Sequence, residues 1–138
     1  MTEPLARILA VDDKPENLRL LEAILVPSGY EVVTASSGDE ALAKVRDTKP
    51  DMVLTDIVMP GMNGYELCRR LRADPATSDI ALLAFSASID SSEALRSVDD
   101  GGWFDGFVMK PIPPSELAQR IGSCIETRRL LRAATATA

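Results

Sequence analysis

Five short apolar runs alternate along this chain with longer segments whose apolar residues recur every three or four positions. The runs are Arg7 to Val11, Glu31 to Ala35, Met52 to Thr55, Ala81 to Phe85 and Gly106 to Met109. Continuous runs of this length predict strands covered on both faces. The second is rich in β-branched residues, which favour extended backbone. Between the runs, Leu18, Leu21, Ile24 and Leu25 share one face of a helix that begins near Pro15 and stops at Pro27 and Gly29. Ala41, Leu42 and Val45 predict a second helix, Gly38 to Asp47, closed by Lys49-Pro50. Leu67, Cys68 and Leu71 predict a third, Tyr65 to Ala73, broken by Asp74-Pro75.

A fourth helix, short and polar, is predicted over Ser91 to Val98, with Ala94, Leu95 and Val98 as its apolar stripe. A fifth starts at Pro114 or Ser115 and runs past Leu117, Ile121 and Ile125 toward Leu131. The small residues from Ala133 to Ala138 predict a frayed tail. Strands alternating with single helices give an α/β fold, a doubly wound parallel sheet of five strands with right-handed crossovers. One domain accounts for the pattern. It spans residues 7–127, after a short extension over 1–6 and before a helix end and tail over 128–138.

Length and charge narrow the function. A chain of 138 residues, 46% hydrophobic, can bury a sizeable core. Its net charge of -6 gives no electrostatic reason to bind nucleic acid or an anionic membrane directly. The longest uncharged stretch, Ile80 to Ile89, is about half of what a membrane span needs. The N-terminus, Met1 to Arg7, lacks the layout of a signal peptide, so the expected compartment is the cytoplasm. Histidine is absent, which excludes Ser-His triads, His-ligated metals and a phosphohistidine within this chain. The two cysteines, Cys68 and Cys124, match no metal or redox spacing and fall beside leucines and isoleucines at helical spacing, as small buried hydrophobes do.

The chemistry gathers where the runs end. Asp12 and Asp13 follow the first strand, Asp56 the third, and Lys110-Pro111 the fifth. In one parallel sheet these ends share the carboxyl edge, where open α/β sheets bind ligands. A single aspartate there reads as a helix cap, and Asp56 alone as a turn residue, but two in succession exceed what a cap needs. Three carboxylates in one crevice repel one another unless a divalent cation joins them, and hard oxygen ligands suit magnesium. The Val58 carbonyl, in the loop just beyond Asp56, is a further candidate ligand. Lys110, carried into the crevice by an apolar strand, is placed to grip a phosphoryl group. Ser86, ending the fourth strand, could donate a hydrogen bond to a phosphoryl oxygen. Pro111 forces a turn, and X-Pro bonds can be cis where geometry demands.

Four segments together, Ile8-Leu9-Ala10-Val11-Asp12-Asp13, Leu54 to Gly64, Phe85-Ser86-Ala87 and Phe107-Val108-Met109-Lys110-Pro111, resemble the receiver domain of two-component response regulators. The resemblance covers Arg7 to about Ile125. It implies a flavodoxin-like (βα)5 fold with strand order 2-1-3-4-5. It makes Asp56 the phosphoacceptor, attacking a phosphohistidine on a partner histidine kinase or phosphotransfer protein. Asp13, Asp56 and the Val58 carbonyl would then hold magnesium directly, and Asp12 would help through water. Ser86 and Phe107 would form the switch, Lys110 would hold phosphoryl oxygens, and Pro111 would follow a cis bond. The output would be a surface of the fourth helix, fifth strand and fifth helix, engaging an effector or a second copy. Two features differ from the family. The stretch from Ser86 to Lys110, with Gly101, Gly102 and Trp103, is slightly long, and Phe107 lacks the hydroxyl of a tyrosine.

A magnesium-dependent phosphohydrolase with an aspartate nucleophile is the competing enzymatic reading. It would want a second acid shortly after the nucleophile, and Ile57-Val58-Met59-Pro60 has none. A receiver that only scaffolds would be expected to lack some of Asp13, Asp56 or Lys110, and all are present. The sequence leaves open whether the chain stands alone or is cut from a longer one, and it identifies no kinase or effector.

Overall fold

The structure is a computed structural model that describes residues 3–87 and 104–137. The predicted fourth helix, and Ser88, Gly101, Gly102 and Trp103, lie outside the described residues. Five strands, β1 (Arg7–Val11), β2 (Glu31–Ala35), β3 (Met52–Thr55), β4 (Ala81–Ser86) and β5 (Gly106–Met109), form one parallel sheet in the order β2-β1-β3-β4-β5. Helices α1 (Pro15–Leu25), α2 (Gly38–Thr48) and α3 (Gly64–Ala73) and a C-terminal helix (Pro114–Thr137) cover its two faces. The elements lie within a residue or two of their predicted bounds, except at the C-terminus. There the helix continues through Thr137 rather than fraying from Ala133. Alanine is the best helix former, so a tail built largely of it extends the helix without tertiary support.

Because side chains alternate across a strand, each apolar run feeds two cores. Leu9, Val11, Val53, Leu82 and Ala84 point to one face and pack with Ala41, Val45, Leu67, Cys68 and Leu71 from α2 and α3. Ile8, Ala10, Met52, Leu54 and Leu83 point to the other and pack with Leu18, Leu21 and Leu25 of α1 and with Leu117, Ile121 and Ile125 of the C-terminal helix. Central strand β3 is buried at every position, whereas edge strands β2 and β5 are only partly covered. This explains why the central runs are continuously apolar. Both cysteines serve packing. Burial pushes the Cys68 thiol pKa up, and that of Cys124 up to about 11, so neither is a thiolate at neutral pH.

Local signals set the helix starts. Pro15 opens α1, Ser37 Oγ accepts from Glu40 N at 3.1 Å to cap α2, and Asn63 Oδ1 accepts from Glu66 N at 2.9 Å to cap α3. At the sheet's opposite end, a charged cluster ties three elements together. Asp105 Oδ2 accepts from Leu82 N and from Arg72 Nη2, each at 2.8 Å, and Oδ1 accepts from Arg128 Nε at 2.8 Å. The Arg72 side chain is only 11% exposed, and its other terminal nitrogen donates to the Ser78 and Ile80 carbonyls. Removing a carboxylate from such a site strands a desolvated guanidinium and a strand amide. Asp105→Ala is therefore expected to cost about 3 kcal/mol in urea unfolding, more than a surface ion pair contributes.

Candidate functional site

Asp12, Asp56 and Lys110 are each the first residue past a strand, and each amide adds one more rung to the ladder. Asp12 N donates to Ala35 O at 3.1 Å, Asp56 N to Val11 O at 2.9 Å, and Lys110 N to Ser86 O at 3.0 Å. Since Val11 pairs in register with Thr55, Asp12 and Asp56 leave the sheet side by side. One oxygen from each of Asp12, Asp13 and Asp56 lies within 4.8 Å of the others. The structure thus brings together the three acids that the sequence pointed to, with Lys110 and Ser86 beside them.

The partners of each group differ. Asp12 is 2% exposed. Its Oδ1 accepts from Lys14 N and its Oδ2 from Asn17 Nδ2, both at 3.0 Å, and Lys110 Nζ stands 3.5 Å from Oδ2. The Lys110 ammonium also sits 4.8 Å from the centroid of the Phe85 ring. Asp56 Oδ1 accepts from its neighbour's amide, Ile57 N, at 2.8 Å and from Ser86 Oγ at 2.6 Å. Asp13 Oδ1 is buried and has no hydrogen-bond partner among the described residues. A carboxylate oxygen accepts only, so an orphan beside two further carboxylates has the environment of a cation ligand. These donors are hard and anionic, which fits magnesium. Val58, two residues past Asp56, is 65% exposed, and the Lys110-Pro111 peptide is cis. An apolar cleft of about 270 Å³ opens beside Lys110, between α1 and the C-terminal helix, lined in part by Leu20, Ile24, Phe85 and Ile112.

Some members of the site gave no signal in the sequence. Asn17 reads as an ordinary polar residue of α1, yet it holds Asp12. Phe104 is buried between two rings, 5.8 Å from Tyr65 in an edge-on arrangement and 5.0 Å from Phe107. Phe107 itself is half-buried against the core of α2 and α3. Gly64 reads as a turn former, but its role is close approach. A Cβ there would lie 2.4 Å from the Asp56 carbonyl oxygen and 2.9 Å from Ile57 Cα.

A profile of the response regulator receiver domain matches residues 8–122. The chain belongs to the receiver domain family of response regulators. It is 38% identical over 115 residues to the DNA-binding response regulator MtrA of Mycolicibacterium smegmatis, covering 83% of this chain and 48% of that protein. It is 41% identical over 118 residues to the response regulator PleD of Caulobacter vibrioides, covering 86% of this chain and 26% of that protein. The chain thus spans about half the length of the first relative and about a quarter of the second. Among solved structures, the chemotaxis protein CheY4 of Vibrio cholerae superposes with a TM-score of 0.79 at 28% identity, covering 86% of this chain and 98% of that one. A receiver domain protein from Clostridium thermocellum reaches 0.82 at 29% identity, covering 92% and 99%. The five-stranded parallel sheet in the order read above is the fold of these neighbours.

Gly64 gives the site's geometry a direct test. Gly64→Ala forces a methyl group into the Asp56 and Ile57 backbone, where neither neighbour is the end of a flexible side chain. The expected cost is about 2 kcal/mol, as for other overpacked positions, and chemical denaturation would measure it. A neutral result would show that the loop after Asp56 is free to move.

Proposed function

We propose that this receiver domain accepts a phosphoryl group on Asp56 from a partner histidine kinase or histidine phosphotransfer protein, with magnesium, and so switches its affinity for an effector. The observation that carries the reading is the juxtaposition of Asp12, Asp13 and Asp56 with the unpartnered, buried Asp13 Oδ1. Asp13, Asp56 and the Val58 carbonyl would hold the metal, with Asp12 assisting through water. When bound, magnesium offsets the charge that the transferring phosphoryl oxygens bring into an acidic crevice.

The chain's own groups account for the rest. An Asp56 carboxylate oxygen forms the new bond to phosphorus as the bond to the donor's imidazole nitrogen breaks, and the electron pair leaves with that nitrogen. Lys110 would turn from Asp12 toward the phosphoryl oxygens. Ser86 Oγ, which donates to Asp56 Oδ1 at 2.6 Å, would redirect that bond to a phosphoryl oxygen. Hydrolysis of the acyl phosphate by water returns the carboxylate. The domain is then a signalling module with self-catalysed phosphotransfer and dephosphorylation rather than a turnover enzyme. We place its action in the cytoplasm. Among the described residues no helix is long and apolar enough to cross a membrane.

With a small phosphodonor and magnesium, a stable adduct of one phosphoryl group on Asp56 is expected, and Asp56→Asn should abolish it with the fold intact. Multiple turnover would favour the phosphohydrolase reading, and phosphate mapped to Asp12 or Asp13 would overturn the assignment. Because the acids repel one another, magnesium should raise the melting temperature by binding the folded state. Asp13→Ala should remove most of that gain. An unchanged shift in the variant would place the metal elsewhere.

The proposed output surface joins the segment after Ser86, the strand bearing Phe107 and the helix after Lys110, for an effector or a homodimer partner. Phe107 already packs against Phe104 with tilted rings, so an inward state would be held by packing without a hydroxyl. Ser86→Ala should keep phosphorylation but weaken chemical-shift changes at Phe107 on adding beryllofluoride, a mimic of the phosphoryl group. Changes confined to α1 and α2 in the wild-type protein would show the surface to be misplaced.

A further inference from the structure

Asp12 is almost closed to water, so every donor to its carboxylate matters. A buried carboxylate oxygen left without one is costly. Its Oδ2 has two neighbours, held unequally. Asn17 Nδ2 donates to it at 3.0 Å, and Lys110 Nζ stands 3.5 Å away. The first distance is that of an ordinary N–H···O bond, and the second lies beyond the usual range. Among the described residues, Lys110 makes the one ion pair of Asp12.

Asn17 reaches Asp12 because of where α1 begins. Lys14 is the cap, Pro15 the first helical residue and Asn17 the third. Lys14 N donates to Asp12 Oδ1 at 3.0 Å, and Asn17 N to the Lys14 carbonyl at 3.1 Å. From the third position of a helix a side chain can reach back past the cap. A glutamate there would set like charges together, whereas a carboxamide supplies a donor. Leu18 and Leu21, buried in the core, hold this turn of helix in place. Asn17 and Lys110 also share a wall of the apolar cleft of about 270 Å³. The rest of its lining includes Leu20, Ile24, Phe85 and Ile112, so a water entering beside Asp12 would find few polar partners. Solvent is a poor substitute for the carboxamide.

We propose that Asn17 is a positioning residue that frees Lys110 for phosphotransfer, by keeping Asp12 Oδ2 hydrogen-bonded when the ammonium leaves it. This rests on the reading of Asp56 as phosphoacceptor and adds a residue that acts only through Asp12. With Asn17 in place, Lys110 exchanges a long ion pair for contact with the phosphoryl oxygens, and Oδ2 keeps the shorter of its two contacts. Without Asn17, the same departure strands a buried carboxylate oxygen, so Lys110 is held where it rests. Asn17 itself makes and breaks no bond in the transfer.

The test measures the magnesium affinity of the full chain by calorimetry, and then its beryllofluoride affinity at saturating magnesium. Asn17→Leu keeps the size of the side chain and removes its donor. Its magnesium affinity should stay within about twofold of wild type while its beryllofluoride affinity falls roughly tenfold, the scale of one hydrogen bond to a charged group. In an Asp12→Asn background the ion pair is gone and Lys110 is already free. Adding Asn17→Leu there should cost less than about twofold more, because the two changes act on one interaction. Urea unfolding checks the fold, and Asn17→Ala carries the same comparison if Asn17→Leu does not fold. Equal loss of magnesium and beryllofluoride affinity would make Asn17 a purely structural residue and overturn the proposal. So would wild-type beryllofluoride affinity in Asn17→Leu, or an undiminished further loss in the Asp12→Asn background. Failure of the wild-type protein to bind beryllofluoride at all would instead overturn the reading of Asp56.

Discussion

The hydrogen bond from the Asp56 amide to the Val11 carbonyl, 2.9 Å long, extends the parallel ladder one rung beyond β1 and β3. Everything at the acidic edge follows from that rung. It holds Asp56 level with Asp12, and Asp13 comes with Asp12 as its chain neighbour. The register cannot slip by one residue to ease the repulsion, because a slip would turn Leu9, Val11 and Val53 out of one core and Ile8, Ala10 and Leu54 out of the other. A sheet buried on both faces thus pays in electrostatics for a geometry that hydrophobic packing enforces.

The crevice answers this with pairs that leave something over. Asp12 has an amide, a carboxamide and an ammonium around it, and Asp56 has an amide and a hydroxyl. Asp13 keeps a buried oxygen with no donor among the described residues. Had every acid been satisfied from within, a cation would have little to add. Had none been, the edge would resist folding. The distribution seen here keeps the crevice assembled and still concentrates uncompensated charge at one atom. Lys110 is shared between a carboxylate and the face of Phe85, and neither contact is a short, fully buried pair.

This division also explains what could be read from the sequence. The three acids, Lys110 and Ser86 each end an apolar run, and runs are local: five strands and their order of chemistry follow from counting along the chain. Asn17, Phe104, Asp105 and Gly64 act through partners that no periodicity connects. Asp105 meets Arg72 33 positions away and Arg128 23 positions away. Gly64 sits in a loop full of turn formers, and only the folded backbone reveals that it touches the Asp56 peptide. The C-terminal helix departs from the pattern for a different reason. Its small residues pack weakly, but helix continuation depends on backbone propensity, and alanine supplies that without a core.

The same reasoning locates where the domain can change shape at low cost. Central strand β3 has a ladder on both sides and full burial, so movement there would disturb both cores. β5 has one ladder, partial burial and a charged residue at each end. Its central aromatic, Phe107, packs on Phe104 rather than deep among the residues of β3. A charge added near Asp56 would act on Lys110, which follows β5, and on Ser86, which ends β4, and the softer of the two strands is the edge. If Asp56 is phosphorylated as proposed, the least costly adjustment lies at β5, while the strands that carry Asp12 and Asp56 would stay fixed.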